Sequence, residues 1–339
     1  MKSLSSSTNP FRLVIVMPVF RDWVVARLLC HQIDLQVAQL DDVDVSLFLV
    51  DDGSPDPLNG WTPFEAAHIS RIDVLRLQRN MGHQRAIAMG LCTVRDEMEC
   101  DAVLVMDADG EDRPEDVIRL LEHFRAKPEY IVFAGRQRRY ESLVFRSGYK
   151  GYRFLHRLLT GVSVREGNFS IISRSALERL VSMSELWNHY AGAIHKSKLP
   201  HSRLATDRGH RLGGKSHMDL VALVVHGLAG ISTFYDVVAT RILIASVSCV
   251  LLLTLVLATV FGIRLYTNLA IPGWATYTSG LLLVLMIQVA SISFSLVFSL
   301  ITTRLNMTFV PARDYRSFTQ SVETLWSPVA MEPTWTVVN

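Results

Sequence analysis

The sequence predicts an α/β domain followed by a pair of membrane-spanning helices. Short apolar, β-branched runs alternate with segments of helical periodicity through the first half of the 339-residue chain. This alternation is typical of a mainly parallel sheet with helices on both faces. Nearer the C-terminus, residues 242–263 and 279–301 contain no charged residue, and each stretch is long enough to cross a bilayer.

The elements of the α/β domain follow from these runs and from the Gly, Pro and Asp residues that end them. The predicted strands are residues 13–17, 45–50, 72–77, 102–106 and 130–134, and the predicted helices are residues 22–40, 84–95, 114–125 and 142–159. Residues 167–172 read as a loop that enters a further strand. No Gly-x-Gly-x-x-Gly follows the first strand, which disfavours a dinucleotide site of the Rossmann type.

Charge and cysteine content exclude two classes of protein. The 34 Lys and Arg residues nearly balance the 32 Asp and Glu residues, whereas a nucleic-acid-binding protein usually shows a marked basic excess. The four cysteines show no Cys-x-x-Cys spacing, which argues against a zinc site or a disulfide framework. The N-terminal segment lacks the pattern of a signal peptide, so we expect the α/β domain to stay on the side where it is made.

An acidic pair follows the strand predicted at residues 102–106. Asp107 and Asp109 are two residues apart, and such side chains point the same way in an extended chain. Their oxygens suit a hard cation such as Mg²⁺ or Mn²⁺, which completes its shell with phosphates and water. As an alternative, Asp109 or Asp112 could simply cap the helix that begins at Pro114, although capping explains one carboxylate and not the alternation.

Two other strand ends carry polar pairs. Asp51 and Asp52 follow the second strand, and Arg79 and Asn80 follow the third. The carboxyl ends of parallel strands share one edge of a sheet, where α/β proteins bind their ligands. We therefore expect these side chains to converge with Asp107 and Asp109 on one cleft.

The C-terminal half predicts attachment to a membrane. Residues 142–159 form a helix with one basic face, and residues 218–238 form a helix that lies at the membrane interface. The basic face carries Arg146, Lys150, Arg153 and Arg157. Basic residues flank the two spans on the sides of both chain ends, so the positive-inside rule places both ends in the cytoplasm.

Together these motifs resemble the membrane-anchored glycosyltransferases of family 2 that make polyprenyl-phosphate sugars, such as dolichol-phosphate mannose synthases. The resemblance covers residues 13–301. Its motifs are Pro-Val-Phe at 18–20, Asp-Asp-Gly-Ser at 51–54, Arg-Asn-x-Gly-His at 79–83, Asp-Ala-Asp at 107–109, Gly-Asn-Phe at 167–169, a Gly-rich basic loop at 207–217 and the membrane hairpin.

The resemblance implies a GT-A fold and an inverting, metal-dependent transfer of a sugar from a nucleotide sugar to polyprenyl phosphate in the cytoplasmic membrane. UDP-hexose is the expected donor, with GDP-mannose as the alternative. The implied domains are a catalytic domain at 1–206, a basic loop with an interfacial helix at 207–240, two transmembrane helices at 241–303 and a cytoplasmic tail at 304–339. The spacing of Ser291, Ser295 and Ser299 in the second span suits close helix contact, and this contact could be between protomers.

The resemblance also implies roles for individual residues. Pro18 and Asp52 would hold the base and ribose, and Asp51 would support that turn of the nucleotide-sugar site. Asp107 and Asp109 would bind the metal and the donor diphosphate. Further residues would contact the phosphates of donor and acceptor: Arg136, Arg146, Arg208, Lys215 and Ser216. The basic face at residues 146–157 could instead attract anionic lipid headgroups.

Asn168 stands where relatives often carry an Asp that has been considered a base. A lipid phosphate is already an anion at neutral pH, with a second pKa of about 6, so it needs no base to remove a proton. An alcohol acceptor would need one. His83 is a candidate contact of the donor phosphate, with a structural role at the start of a helix as the alternative.

Three other functions share parts of this pattern. A transferase acting on a lipid hydroxyl would form a glycolipid, and an inactive adaptor would keep the fold without the chemistry. A processive polysaccharide synthase would carry Gln-x-x-Arg-Trp, where this chain has Gln-Arg-Arg-Tyr at 137–140.

Overall fold

The computed structural model describes residues 10–63, 65–136, 143–162, 166–213, 220–267, 271–305 and 309–328. The chain divides into two compact units. The first, here the sheet unit, comprises Met1–Ser147, Val164–Thr233 and Phe309–Asn339. The second, here the helical unit, comprises Gly148–Ser163 and Phe234–Thr308.

An eight-stranded sheet with the order β7-β5-β6-β4-β1-β2-β3-β8 forms the centre of the sheet unit. Strands β3, β2, β1 and β4 are parallel neighbours, β6 runs antiparallel to β4 and β5, and β8 runs antiparallel to β3. The strands are β1 (Phe11–Val19), β2 (Val43–Asp51), β3 (Ile69–Leu77), β4 (Ala102–Val105), β5 (Ile131–Arg136), β6 (Ser170–Ser173), β7 (His201–Thr206) and β8 (Thr319–Trp326).

Helices pack on both faces of this sheet. Helices α1 (Trp23–Val37) and α3 (Pro114–Ala126) lie on one face, and α2 (His83–Glu97), α5 (Arg174–Val181) and α6 (Tyr190–Ser197) lie on the other. The sheet unit also contains α7 (Leu220–Ser232), the short α10 (Pro311–Asp314) and the first residues of α4 (Leu143–Thr160), most of which belongs to the helical unit. The predicted α/β fold class is confirmed, and the five strands and four helices predicted for the first half of the chain correspond to β1–β5 and α1–α4.

The core follows from the two-residue period of the strands. In β1, Leu13, Ile15 and Met17 are buried in the cluster that includes residues of α1 and α3. Val14 and Val16 point the other way and are buried in the cluster that includes residues of α2, α5 and α6. Burying each such side chain contributes about 1.5–3 kcal/mol, so β1 is held from both faces.

The segment after the last long apolar helix differs from the prediction. The sequence suggested a separate tail at 304–339, but β8 forms the edge of the sheet beside β3. Tyr315, just before β8, is 1% exposed and its hydroxyl donates to Asp96 at 2.8 Å. Residues that precede and follow the two long apolar helices therefore belong to one sheet unit.

The helical unit contains two long apolar helices, α8 (Tyr235–Tyr266) and α9 (Trp274–Leu305). Both are long and apolar enough to cross a membrane. The sequence predicted a single helix at 218–238, but the structure has two, since α7 ends at Ser232 and α8 begins at Tyr235. Arg241 of α8 donates to the Leu158 carbonyl at 2.7 Å, which ties the C-terminal end of α4 to the first long helix.

Candidate active site

The carboxyl ends of β1, β2 and β4 meet at one edge of the sheet. Val19 lies opposite Asp51 in the β1–β2 register, and Val16 lies opposite Val105 in the β1–β4 register. Pro18, near the end of β1, pairs with Val50. The structure therefore brings Pro18, Asp51 and the turn that starts after β4 to the same edge, as the sequence predicted.

Asp51 organises the turn that follows β2. Its Oδ1 accepts the Ser54 N–H at 3.0 Å, and the Ser54 hydroxyl oxygen accepts the Arg21 N–H at 2.9 Å. Gly53 has φ = +66°, and a Cβ there would lie 2.3 Å from the Arg79 carbonyl carbon. Only glycine fits this approach, so the β2 turn packs directly against the loop after β3.

Asp52 braces that same loop. It is 3% exposed, and its two oxygens accept the Met81 and Gly82 N–H groups at 2.6 and 3.0 Å. Burial raises the pKa of Asp52 to about 6, although these hydrogen bonds oppose the shift. Asp52 thereby sets the position of the loop that leads into His83. Its predicted contact with the ribose stays a prediction, as do those of Pro18 and Asp51.

The acidic turn, residues 107–111, follows β4. The Asp107 N–H donates to Asp112 at 2.9 Å, and Asp109 Oδ1 accepts the Glu111 N–H at 2.9 Å. Burial raises the pKa of Asp109, and the nearby charges of Asp107 and Glu111 raise it further. The N-cap residue of α3 is Arg113, so helix capping does not account for Asp107 and Asp109.

A divalent cation fits this turn. The carboxylates of Asp107 and Asp109 supply the hard oxygen ligands that Mg²⁺ and Mn²⁺ prefer, and a cation would relieve the repulsion that raises the pKa of Asp109. Among the described residues, no group of three or more His, Cys, Asp or Glu side chains is arranged to hold a metal. The pair would therefore hold the ion together with substrate phosphates and water, a common arrangement for Mg²⁺.

The basic loop after β7, residues 207–213, closes over the acidic turn. Gly209 and Leu212 donate their N–H groups to the carbonyls of Glu111 and Asp109 at 2.9 and 3.0 Å. Arg208 Nε donates to Glu111 Oε2 at 3.0 Å, so this predicted phosphate contact is paired with a carboxylate in the structure. Residues 209–216 read Gly-x-x-x-x-Gly-Lys-Ser, which matches the P-loop pattern, but the Gly209 and Leu212 N–H groups already donate to the acidic turn.

Arg211, which the sequence analysis did not assign, contacts the metal-binding candidate. One guanidinium nitrogen lies 3.4 Å from Asp109 Oδ2, and another lies 3.7 Å from Asp22 Oδ2. The side chain also donates to the Gly213 carbonyl at 3.1 Å. A positive group on this chain therefore already stands beside Asp109.

Several predicted phosphate contacts lie beyond what the structure describes. Lys215 and Ser216 lie outside the described residues. Arg136 ends β5, which is parallel to β7 and shares its carboxyl edge, and Arg146 lies in α4; the side chains of both fall outside the described part. Their roles stay predictions.

Asn168 belongs to a series of polar contacts that ends at the acidic turn. The backbone N–H of Tyr190 donates to Gln84 Oε1 at 2.7 Å, and Gln84 Nε2 donates to Asn168 Oδ1 at 3.1 Å. Asn168 Nδ2 lies 2.9 Å from His83 Nε2, which lies 3.1 Å from Asp107 Oδ1. Burial lowers the pKa of His83, but the Asp107 carboxylate outweighs it and the net shift is upward.

The structure thus joins His83 and Asn168, which sequence reasoning treated separately. Gln84 and Tyr190 were missed as members of this site. Gln84 adjoins the Arg-Asn-x-Gly-His motif, which is the one local signal that could have drawn attention to it. Tyr190 lies 106 residues further along the chain, and no local pattern connects the two.

Comparison with known proteins identifies the family of the sheet unit. Residues 14–181 match the model of glycosyl transferase family 2. The uncharacterized glycosyltransferase YkoT of Bacillus subtilis (strain 168) is 25% identical over 228 residues, covering 66% of this chain and 67% of that protein. The prophage bactoprenol glucosyl transferase homolog of Escherichia coli (strain K12) is 23% identical, covering 66% of this chain and 73% of that protein.

Among solved structures, the glucosyl-3-phosphoglycerate synthase of Mycobacterium tuberculosis, in complex with Mn²⁺ and UDP-glucose, is similar to this chain. It is 16% identical, with a TM-score of 0.45, and the match covers 67% of this chain and 79% of that one.

Proposed function

We propose, from the premise that this chain is a glycosyltransferase of family 2, that it transfers a hexose from a nucleotide sugar to polyprenyl phosphate with inversion. The acidic turn at the carboxyl edge of β4 supports this proposal most directly, because it presents Asp107 and Asp109 beneath a loop that carries Arg208 and Arg211. Carboxylates suit a metal that binds a diphosphate, and arginines suit phosphate oxygens.

The proposed step needs no general base. A phosphate oxygen of the lipid attacks the anomeric carbon and forms the new carbon–oxygen bond. The bond from that carbon to the donor's phosphate oxygen breaks, and its electron pair leaves with the nucleoside diphosphate. A bound Mg²⁺ or Mn²⁺ would offset the negative charge on that leaving group. Asn168 cannot act as a base, which favours an acceptor that is already an anion over an alcohol.

The residues of this chain would bind and orient both reactants. Asp51 and Asp52 order the two loops at the nucleotide end of the cleft. Arg208, now paired with Glu111, would exchange this partner for phosphate oxygens when the substrates bind. The name of the E. coli relative, a bactoprenol glucosyl transferase homolog, supports a lipid acceptor and UDP-glucose as the first donor to test.

The order of the strands supports a membrane hairpin. β7 precedes α8 and α9 in the chain, β8 follows them, and both strands belong to one sheet. If α8 crosses a bilayer, α9 must cross back, because the two flanking segments fold together on one side. With the basic flanks, we place the sheet unit and both chain ends in the cytoplasm.

Transfer by purified full-length protein tests the proposal. The protein would be mixed with undecaprenyl phosphate, Mg²⁺ or Mn²⁺, and radiolabelled UDP-glucose, other UDP-hexoses or GDP-mannose, and label would be counted in the organic phase. We expect transfer from one donor, and its loss with chelator or Asp109→Ala. Label in a lipid alcohol in place of the phosphate would favour glycolipid synthesis. No transfer or hydrolysis by folded protein would favour the inactive adaptor.

A further inference from the structure

We infer, on the basis of the proposed reaction, that Gln84 fixes the orientation of the Asn168 amide and so makes Asn168 a residue that selects a phosphate acceptor over an alcohol. Gln84 is a positioning residue in this scheme. It holds the N–H₂ side of the Asn168 amide toward His83 and the acidic turn, and it holds the carbonyl side away from them.

The directions of the hydrogen bonds between Tyr190, Gln84 and Asn168 follow from the first of them. The backbone N–H of Tyr190 can only donate, so the Gln84 atom at 2.7 Å from it must be the carbonyl oxygen. The other end of the Gln84 amide is then N–H₂ and must donate to Asn168. The atom of Asn168 at that contact is therefore its carbonyl oxygen, and the N–H₂ group faces His83. Amide orientations are usually ambiguous, but a backbone donor removes the ambiguity here.

Tyr190, the first member of this series of hydrogen bonds, is held firmly in the core. Tyr190 is fully buried, and its hydroxyl lies 2.8 Å from the Ser170 hydroxyl. The Ser170 hydroxyl in turn donates to the Asn168 backbone carbonyl at 3.0 Å. Phe169, between them, is 5% exposed. The backbone and side chain of Asn168 are therefore held from two sides by groups packed in the core.

An amide held this way favours an anionic acceptor. An N–H group beside the acidic turn can donate to a phosphate oxygen, and hydrogen bonds to charged groups contribute more than neutral ones. A carbonyl or a carboxylate at the same point would repel the phosphate. The reverse holds for an alcohol, whose proton needs an acceptor at the position from which it is removed.

Two substitutions separate positioning from support of the fold. In Gln84→Glu, one carboxylate oxygen can still accept the Tyr190 N–H, but the other cannot donate to Asn168, so the Asn168 amide should turn over. In Gln84→Leu, both contacts are lost and a buried N–H is left without its partner. Gln39→Glu adds the same charge at an exposed position and serves as the matched control.

The assay uses citronellyl phosphate, a short isoprenyl phosphate, as the acceptor. It measures KM for this acceptor, KM for the nucleotide sugar, and the melting temperature of the full-length protein. For Gln84→Glu we expect KM for citronellyl phosphate to rise about tenfold or more, as for a lost hydrogen bond to a charged group. KM for the donor should stay within about twofold, since the change is local, and the melting temperature should stay above that of Gln84→Leu. If only Gln84→Leu is impaired, Gln84 merely supports the fold and the inference is overturned.

A double-mutant cycle with Asn168→Ala distinguishes two explanations for an effect of Gln84→Glu: reorientation of the Asn168 amide, and direct repulsion of the phosphate by the new carboxylate. If Gln84→Glu acts through Asn168, it changes KM little in the Asn168→Ala background. If it repels the phosphate directly, it raises KM equally in both backgrounds, and the inference fails.

A comparison of citronellyl phosphate with its alcohol, citronellol, as acceptors distinguishes a failure of this inference from a failure of the proposed function. Transfer to citronellol and not to its phosphate by wild-type protein refutes both. Transfer to the phosphate, with Gln84→Glu behaving as Gln39→Glu does, refutes the inference alone. If wild-type protein transfers to neither acceptor, the proposed function fails, and equilibrium binding of citronellyl phosphate to the wild-type and Gln84→Glu proteins decides the inference.

Discussion

Asp52 should make the stability of the sheet unit depend on pH between about 4 and 6. The carboxyl group is 3% exposed, and burial raises its pKa from 3.8 to about 6 despite two hydrogen bonds from backbone N–H groups. A carboxyl whose pKa is higher in the folded state stabilises that state while it is protonated. This contribution is fully present below about pH 4 and is lost as pH rises through 6.

The size of the effect follows from the shift. Each tenfold change in proton affinity corresponds to about 1.4 kcal/mol, so ionised Asp52 costs the folded state about 3 kcal/mol at neutral pH. In Asp52→Asn the side chain keeps its shape and cannot ionise. The stability of this variant relative to wild type should therefore rise by about 3 kcal/mol between pH 4 and pH 7, or about 6–12 °C in melting temperature for a unit of this size.

Scanning fluorimetry of the full-length protein and of Asp52→Asn, at matched pH values, measures this difference. Titrating groups far from Asp52 contribute equally to both proteins, so the difference in melting temperature reports Asp52 together with its coupling to His83 and Asp51. Parallel curves across the whole range would refute the reasoning, because they would mean that Asp52 titrates alike in the folded and unfolded states.

Two further predictions concern Arg211 and the segment after α9. Arg211→Gln removes the positive group beside Asp109, so we expect Mn²⁺ to bind about twofold to fivefold more tightly. Titration followed by electron paramagnetic resonance measures the affinity, with Arg125→Gln in the remote pair with Asp42 as the control, and weaker binding would contradict the prediction. Truncation after residue 308 removes β8 and the buried Tyr315. The free energy of unfolding of the sheet unit should then fall by more than about 3 kcal/mol, and the unit should become sensitive to protease. An unchanged melting temperature and unchanged protease resistance would contradict a structural role for β8.

The strands of the cleft could be predicted because each is a local pattern. The apolar runs of β1 to β4 and the polar residues that end them lie within a few positions of each other in the sequence. Since parallel strands share their carboxyl edge, the meeting of Asp51 with the turn at Asp107 and Asp109 followed from topology alone.

The contacts that complete the site could not be predicted, because they join distant segments. The basic loop was predicted to bind phosphates, yet its Arg208 and Arg211 contact Glu111 and Asp109, about 100 positions away in the sequence. Carboxylates that could bind a metal and arginines that could bind phosphate can also pair with each other, and only the folded structure shows which pairs form. Likewise β8 has no strong alternation of its own, and it pairs with β3, which lies on the other side of α8 and α9 in the sequence.

Analysis of the reaction product by phosphorus NMR tests the central claim most directly. Wild-type protein would be incubated with polyprenyl phosphate, the active nucleotide sugar and Mg²⁺ or Mn²⁺. We expect the phosphomonoester signal of the lipid to be replaced by a phosphodiester signal, with an equal amount of free nucleoside diphosphate and an anomeric configuration opposite to that of the donor. A lipid monoester signal that stays unchanged while the nucleotide sugar is consumed would contradict transfer to lipid phosphate.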